Sequence, residues 1–171
     1  MTPVPVFDVS QTEGEPLPEL DTAARGEASG LVDTLLAASA DFAFDVRIVS
    51  QAEWAHEGAT GICSLPDGAD QPTVAVRDRS NRADLALTLV HEYAHALLHV
   101  GQDDGTERAK REVEAEAVAY VVGRHAGLDV SGSAFYLAAW GREDPETILD
   151  RLSRISQTAE ALITAIDAAV V

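Results

Sequence analysis

Residues 91–95 read His-Glu-Tyr-Ala-His, an H-E-x-x-H pentapeptide whose residue types and spacing suit metal-dependent hydrolysis. His91 and His95 are four residues apart, so on a helix both imidazoles lie on one face and can reach the same ion. Glu92 projects about 100° round that helix from His91, beside the ion rather than bound to it. There its carboxylate can take a proton from a water molecule that the metal activates and return it to a leaving amine. The pentapeptide therefore predicts a zinc hydrolase with Glu92 as its catalytic residue.

The residues around the pentapeptide predict that it lies on a helix. Mostly apolar side chains occupy residues 85–90 and 96–98, which would bury the motif instead of leaving it on a solvated loop. Ser80 or Asn81 suits the N-cap position, and Gly101 suits the C-terminal stop. The competing interpretation is a helix that carries two hydrogen-bonded surface histidines and no metal.

A catalytic zinc site usually has three protein ligands, and the next helical stretch supplies candidates for the third. Glu112 and Glu116 are four residues apart, so one can bind the metal while the other braces a ligand histidine. Glu114, between them, is expected to point elsewhere. His99 is the alternative ligand because it continues the i, i+4, i+8 series, but a straight helix cannot easily wrap three successive turns round one ion. The residues favour the two motif histidines and a glutamate of the following helix.

Two segments, H-E-Y-A-H-A-L-L-H and R-E-V-E-A-E-A-V-A-Y-V-V, resemble the ImmA/IrrE-type metallopeptidases and the related ArdC-like metallopeptidase domains. Those families are gluzincin-like, with H-E-x-x-H on one helix and E-x-x-A-(N/D/E) on the next, which residues 112–116 match. The resemblance implies that Glu112 is a metal ligand and that Glu116 braces the site, where many members have Asn or Asp. It covers roughly residues 45–165 and is specific over residues 85–122. The longer H-E-x-x-H-x-x-G-x-x-H pattern is not met.

The resemblance also carries expectations about function. It implies a zincin-like domain that holds one Zn²⁺ per chain. Relatives often act on regulatory proteins such as repressors, so we expect a zinc-dependent endopeptidase of narrow specificity. Its partner would be a protein or peptide substrate, for example a transcriptional regulator. ArdC-like relatives are associated with antirestriction and single-stranded DNA binding, which gives the alternative of a metal-stabilised, non-catalytic interaction module.

Length and composition predict one domain outside the membrane. The 171 residues, 46% of them hydrophobic, are enough for a single core. No apolar run reaches the length of a membrane span, and the first residues do not resemble a secretory signal, so the expected location is the cytoplasm. The single cysteine, Cys63, excludes an internal disulfide framework and is expected to be a small core residue.

The net charge of −17 argues against broad nucleic-acid binding, because so acidic a surface repels phosphate backbones. Arg77, Arg79 and Arg82 cluster before the motif helix, where they could bind an acidic substrate; pairing with Asp78 and Asp84 is the favoured interpretation. Arginine strongly outnumbers lysine, which together with the acidity suggests a halophilic host. Loss of the fold in low salt would support that hypothesis, and indifference to salt would contradict it.

The sequence pattern predicts an α+β fold, mainly helical, with a small antiparallel sheet before the motif helix. Residues 1–24 lack periodicity and are rich in Pro and Glu, which predicts a disordered or extended tail, and residues 25–171 are expected to form the domain. A first helix is expected over residues 27–40. Strand patterns occur at residues 42–48, 62–65 and 73–76, the last two forming a hairpin.

The remaining expectations concern substrate binding and the C-terminal part. Residues 71–77 are predicted to form an edge strand, along which an extended peptide could dock. Tyr136, in a short apolar helix over residues 133–140, is a candidate hydrogen-bond donor to the oxyanion of the transition state. Pro145 opens an amphipathic final helix that is expected to pack on the domain.

Overall fold

The structure is a computed structural model that describes residues 23–28, 30–101, 108–131 and 145–169, the last range without the side chains of 145–148. Its elements are α1 (Leu31–Ala38), a 3₁₀ turn (Ser39–Phe42), β1 (Asp45–Val49), β2 (Gly61–Ser64), β3 (Thr73–Arg77), α2 (Arg82–His99), α3 (Arg108–His125) and α4 (Pro145–Ala169). The predicted α+β class is confirmed: four helices dominate, and a three-stranded sheet precedes α2. The predicted helix over 133–140, with Tyr136, lies outside the described residues, as does the predicted tail except for its last two positions.

The sheet is mixed, with the strand order β1-β3-β2. β2 and β3 form the predicted antiparallel hairpin, but β1 pairs with β3 in parallel. The parallel pair arises because the chain crosses from β1 to the far edge of the sheet before β3 returns between the two strands. The expectation of a purely antiparallel sheet was therefore wrong. The expectation that residues 71–77 form an edge strand was also wrong, because β3 is central and paired on both sides.

The start of α2 is fixed by polar contacts that the sequence predicted. The Asn81 side chain accepts a hydrogen bond from the backbone N–H of Asp84 at 3.1 Å, which makes Asn81 the N-cap. Arg79 pairs with Asp84 at 2.6 Å, and Arg82 pairs with Asp78 at 3.1 Å. The favoured pairing of these arginines with nearby aspartates is confirmed for both, and it sets where the motif helix begins.

The core is built round α2, which packs against the sheet, α1, α3 and α4. Leu85, Leu89 and Tyr93 are fully buried, and the Tyr93 hydroxyl donates to the carbonyl of Leu35 at 3.0 Å. The amphipathic face of α4 packs on this core as predicted. Its buried positions are Ile155, Ala159, Leu162, Ala165 and Ile166. No helix in the described ranges is long and apolar enough to cross a membrane.

Gly123 lets α3 lie close against α2. A Cβ at this position would be 2.9 Å from Leu87 Cδ1 and 3.0 Å from Val130 Cγ1, both shorter than an ordinary contact. Glycine costs helix stability, so its presence in the middle of α3 is explained by this packing. The two helices that carry the motif residues are therefore held together by a contact that leaves no room for a methyl group.

Replacing Gly123 with alanine should destabilise the protein by about 1–3 kcal/mol, although alanine is the better helix former. The reason is overpacking against Leu87 and Val130, and urea denaturation would measure it. The double variant Leu87→Ala/Gly123→Ala should lose less stability than the sum of the single changes, because Leu87→Ala removes one of the two clashes. A Gly123→Ala variant as stable as wild type would contradict the packing argument.

Candidate metal centre and its cleft

His91, His95 and Glu112 are brought together by α2 and α3. Their ligand atoms all lie within 4.8 Å of one another. The His91 and His95 Nε2 atoms are 3.1 Å apart, and they lie 3.5 Å and 3.4 Å from Glu112 Oε2. Among the described residues, this is the group of three whose donor atoms could hold a metal ion.

These separations fit a tetrahedral zinc site. Zinc binds imidazole nitrogen and carboxylate oxygen at about 2.0–2.2 Å, which places two ligand atoms of a tetrahedron about 3.3–3.6 Å apart. The three measured separations lie in or just below that range. Two imidazoles and one carboxylate also match the ligand set of catalytic zinc sites that keep a fourth position open. The residues present therefore fit the metal.

Glu116 orients His91. Its Oε2 lies 3.2 Å from His91 Nδ1. Because an ionised carboxylate only accepts hydrogen bonds, Nδ1 carries a proton, so a metal ion would bind at Nε2, the ring nitrogen that faces His95 and Glu112. The structure thus places Glu116 beside a histidine, in the position where a carboxylate braces a ligand imidazole.

The electrostatics of the group favour a cation. Burial acts to lower the pKa of His91, but hydrogen bonds to Glu112 and Glu116 outweigh it and raise that pKa to about 9. The hydrogen bond from His91 in turn lowers the pKa of Glu112 to about 2. Burial, followed by the charge of His91, lowers the pKa of His95. The Glu112 carboxylate is therefore ionised at neutral pH, and its Oε2 lies against the Nε2 atoms of both imidazoles.

Glu92 lies beside the three residues and under strand β2. It is 7% exposed, and burial, with a smaller effect from Glu112, raises its carboxyl pKa to about 7 although His91 opposes the shift. A Cβ on Gly61 would lie 2.6 Å from Glu92 Oε1, 2.8 Å from its Cγ and 2.7 Å from Thr88 Cγ2. The backbone of β2 can cover Glu92 at this distance only because residue 61 is glycine. Gly61 was not among the predicted site residues, although a glycine inside a strand is a signal of close approach.

A cleft of about 1200 Å³ opens over these residues. Its walls are β2 with the loop before it, the histidine face of α2 and the first turns of α3. Cys63 of β2 lines this cleft and is half-buried against the core, as its prediction as a small core residue requires. Burial, and then the charge of Glu92, raises the pKa of the Cys63 thiol to about 12, so it stays protonated at neutral pH.

His99 and Glu114 lie outside the group of candidate ligand atoms, and each contacts another part of the fold. His99 Nε2 lies 3.3 Å from the carbonyl oxygen of Arg111, and His99 is not part of the group that meets within 4.8 Å. Glu114 is fully buried and pairs with Arg151 at 2.6 Å. A buried carboxylate requires a partner, but Arg151 is 37 residues away, and no local pattern signals that pairing.

Residues 43–123 match the family model of Peptidase_M78, described as the IrrE N-terminal-like domain. The match supports an ImmA/IrrE-type metallopeptidase domain in this part of the chain. The match runs from just before β1 to Gly123 and includes the three histidines of α2 and the glutamates of α3. The predicted resemblance is confirmed, and the family supports a peptidase-type hydrolase with a metal.

Over 98 residues, or 55% of the chain, the sequence is 32% identical to the uncharacterized protein pXO2-81 of Bacillus anthracis. The alignment covers 17% of that protein, so the chain matches a small part of this longer relative. No solved structure gives a significant match.

Replacing Gly61 with alanine should displace the Glu92 carboxylate. Because the new methyl group would overlap Glu92 Cγ and Thr88 Cγ2 as well as the mobile carboxylate end, we expect kcat for peptide hydrolysis to fall by roughly 10²-fold. Zinc content should stay unchanged, because Gly61 does not touch the ligand atoms. Gly30→Ala, the same change at an exposed glycine where a Cβ would meet nothing within 4 Å, is the control and should leave kcat unchanged. Equal rates for Gly61→Ala and the control would contradict the role of Gly61.

Proposed function

We propose that this protein is a zinc-dependent endopeptidase of narrow specificity that cleaves a regulatory protein in the cytoplasm. The observation that carries the proposal is the set of separations between the ligand atoms of His91, His95 and Glu112. They match the edges of a zinc tetrahedron, with the carboxylate of Glu92 at its side.

His91, His95 and Glu112 would hold one Zn²⁺ per chain. Two imidazoles and a carboxylate favour zinc over the harder cations that prefer all-oxygen sites. When bound, the metal would polarise the scissile carbonyl and lower the pKa of the attacking water. Glu116 contributes by fixing the ring of His91, so that Nε2 presents its lone pair.

Glu92 is the general base and acid of the proposed reaction. It follows His91 in α2 and lines the cleft without belonging to the ligand group. Its carboxylate takes the proton of the attacking water and later delivers it to the nitrogen of the leaving amine. The cover that Gly61 and β2 provide excludes bulk water from one side of this carboxylate.

The substrate would bind along β2. Among the described residues β2 pairs with β3 alone, so its second edge has backbone groups available for an added strand. Gly61, Ile62, Cys63 and Ser64 all line the cleft that contains the candidate ligands. An extended peptide on this edge would run past the ligand group, which favours cleavage within a chain. β2 would therefore have the docking role that was predicted for β3.

A regulatory protein such as a transcriptional repressor is the proposed substrate class, on the strength of the ImmA/IrrE-type domain. The net charge of −17 makes nucleic acid an unfavourable partner. Tyr136 remains a predicted donor to the transition-state oxyanion and lies outside the described residues. The alternative function, a metal-stabilised interaction module, shares the ligand residues but has no use for Glu92.

The deciding test has two steps. Elemental analysis of protein purified without chelator in high salt should give about one zinc per chain. Glu92→Gln should then lower kcat against the best peptide or protein substrate by at least about 10²-fold, because the general base is lost. Its zinc content and unfolding midpoint should match wild type. Glu160→Gln, an exposed change of the same kind on α4, is the control. Absence of zinc even after zinc is offered, or full activity of Glu92→Gln, would refute the proposed mechanism.

A further inference from the structure

The third histidine of α2 contacts the backbone of α3 immediately before Glu112. His99 is 8% exposed, and its Nε2 lies 3.3 Å from the carbonyl oxygen of Arg111. A carbonyl only accepts hydrogen bonds, so Nε2 carries the proton and donates. This nitrogen then has no lone pair for a metal, which agrees with the absence of His99 from the described group of ligand atoms. The last turn of α2 is thus tied to the residue that precedes the candidate ligand.

A buried ion pair holds α3 on the other side of Glu112. Glu114 is fully buried, its Oε1 lies 2.6 Å from Arg151 Nη1, and its Oε2 lies 3.6 Å from His99 Nε2. Arg151 comes from α4 and its side chain is 13% exposed. Removing one partner from such a pair leaves an uncompensated buried charge, so the pair strongly favours one position of α3 relative to α4.

A second arginine of α4 holds the end of α2. Arg154 lies one helical turn after Arg151 and donates from Nη2 to the carbonyl oxygen of Leu98 at 2.9 Å. Leu98 directly precedes His99, and the last carbonyls of a helix need such donors. One face of α4 therefore contacts both helices that carry the candidate ligands.

We propose that His99 is a positioning residue for Glu112, supported from α4 by Arg151 and Arg154. The proposal rests on the proposed zinc site and explains how that site keeps its shape. Glu112 comes from a different helix than the two histidines and is about half exposed, so little packing fixes its own side chain. The hydrogen bond at Arg111 and the ion pair at Glu114 hold the backbone on either side of it. Arg151 and Arg154 lie beyond residues 43–123, so the family match assigns them no role.

The test separates positioning from ligation by two substitutions at His99. His99→Gln can keep an N–H donor near the place of Nε2 but cannot replace an imidazole ligand, whereas His99→Leu removes the donor. The dissociation constant for zinc would be measured in full-length metal-free protein by competition with a chromophoric chelator. We expect His99→Leu to weaken binding by about 10- to 100-fold, the usual effect of removing a residue that orients a ligand. His99→Gln should stay within about 3-fold of wild type. Equal losses in both variants would indicate a ligand and overturn the proposal, and so would wild-type affinity in both.

A second pair of variants covers the case in which His99→Leu does not fold. Arg154→Met removes the contact with Leu98 at a half-buried position, and Arg124→Met makes the same charge change on the exposed surface of α3. Zinc affinity should fall in Arg154→Met and stay at the wild-type value in Arg124→Met. Equal affinities in the two variants would overturn the support from α4.

Hydrogen exchange keeps this inference distinct from the proposed function. In metal-free protein, amide exchange over residues 111–118 should be faster in His99→Leu than in wild type and unchanged in His99→Gln. Failure of wild type to bind zinc would refute the proposed function, and the exchange rates would then decide on the positioning role alone. Unchanged exchange in His99→Leu would overturn that role even where zinc binds.

Discussion

The close packing of α2 and α3 is the constraint on which the rest of the structure depends. Two of the candidate ligands come from α2 and the third from α3, so the separation of the helices decides whether the three donor atoms can meet. Gly123 sets this separation at one end, where a methyl group would already be too large. His99 contacts the backbone of α3 at the other end. Protein interiors resist compression, so these two contacts fix the geometry between them.

The sheet supplies none of the candidate ligands. Its strand β2 covers the Glu92 side chain and forms one edge of the sheet. β3 is central, and its buried valines anchor the sheet on α2, which leaves β2 at the rim of the cleft. Gly61 then allows the β2 backbone to lie directly on the carboxylate of Glu92. The same strand therefore buries the candidate base on one side and offers hydrogen-bonding groups to a peptide on the other. This double use depends on strand order, because a central strand could not provide a free edge.

The sequence predicted the parts of this protein that depend on neighbouring residues. The four-residue spacing of His91 and His95 places both on one face of a helix, and Asn81 caps that helix as expected. The α+β class and the hairpin also followed from local patterns. The parallel pairing of β1 and the central place of β3 depend on contacts between distant segments, which periodicity does not encode. The burial of Glu114 could not be predicted for the same reason, since it depends on Arg151, which comes from another helix.

The distribution of charged side chains explains how a chain with so many carboxylates can fold compactly round the candidate metal site. The net charge is −17, yet Arg79, Arg151 and Arg154 are partly buried, where each joins helix termini or carboxylates inside the fold. Positive charge is thus used to hold helices together. At the ligand group the balance is reversed, because carboxylates outnumber fixed cations and raise the pKa of His91 to about 9. A divalent cation bound between the imidazoles would offset that excess of negative charge, so the field that favours a proton on His91 is also the field that favours a metal ion.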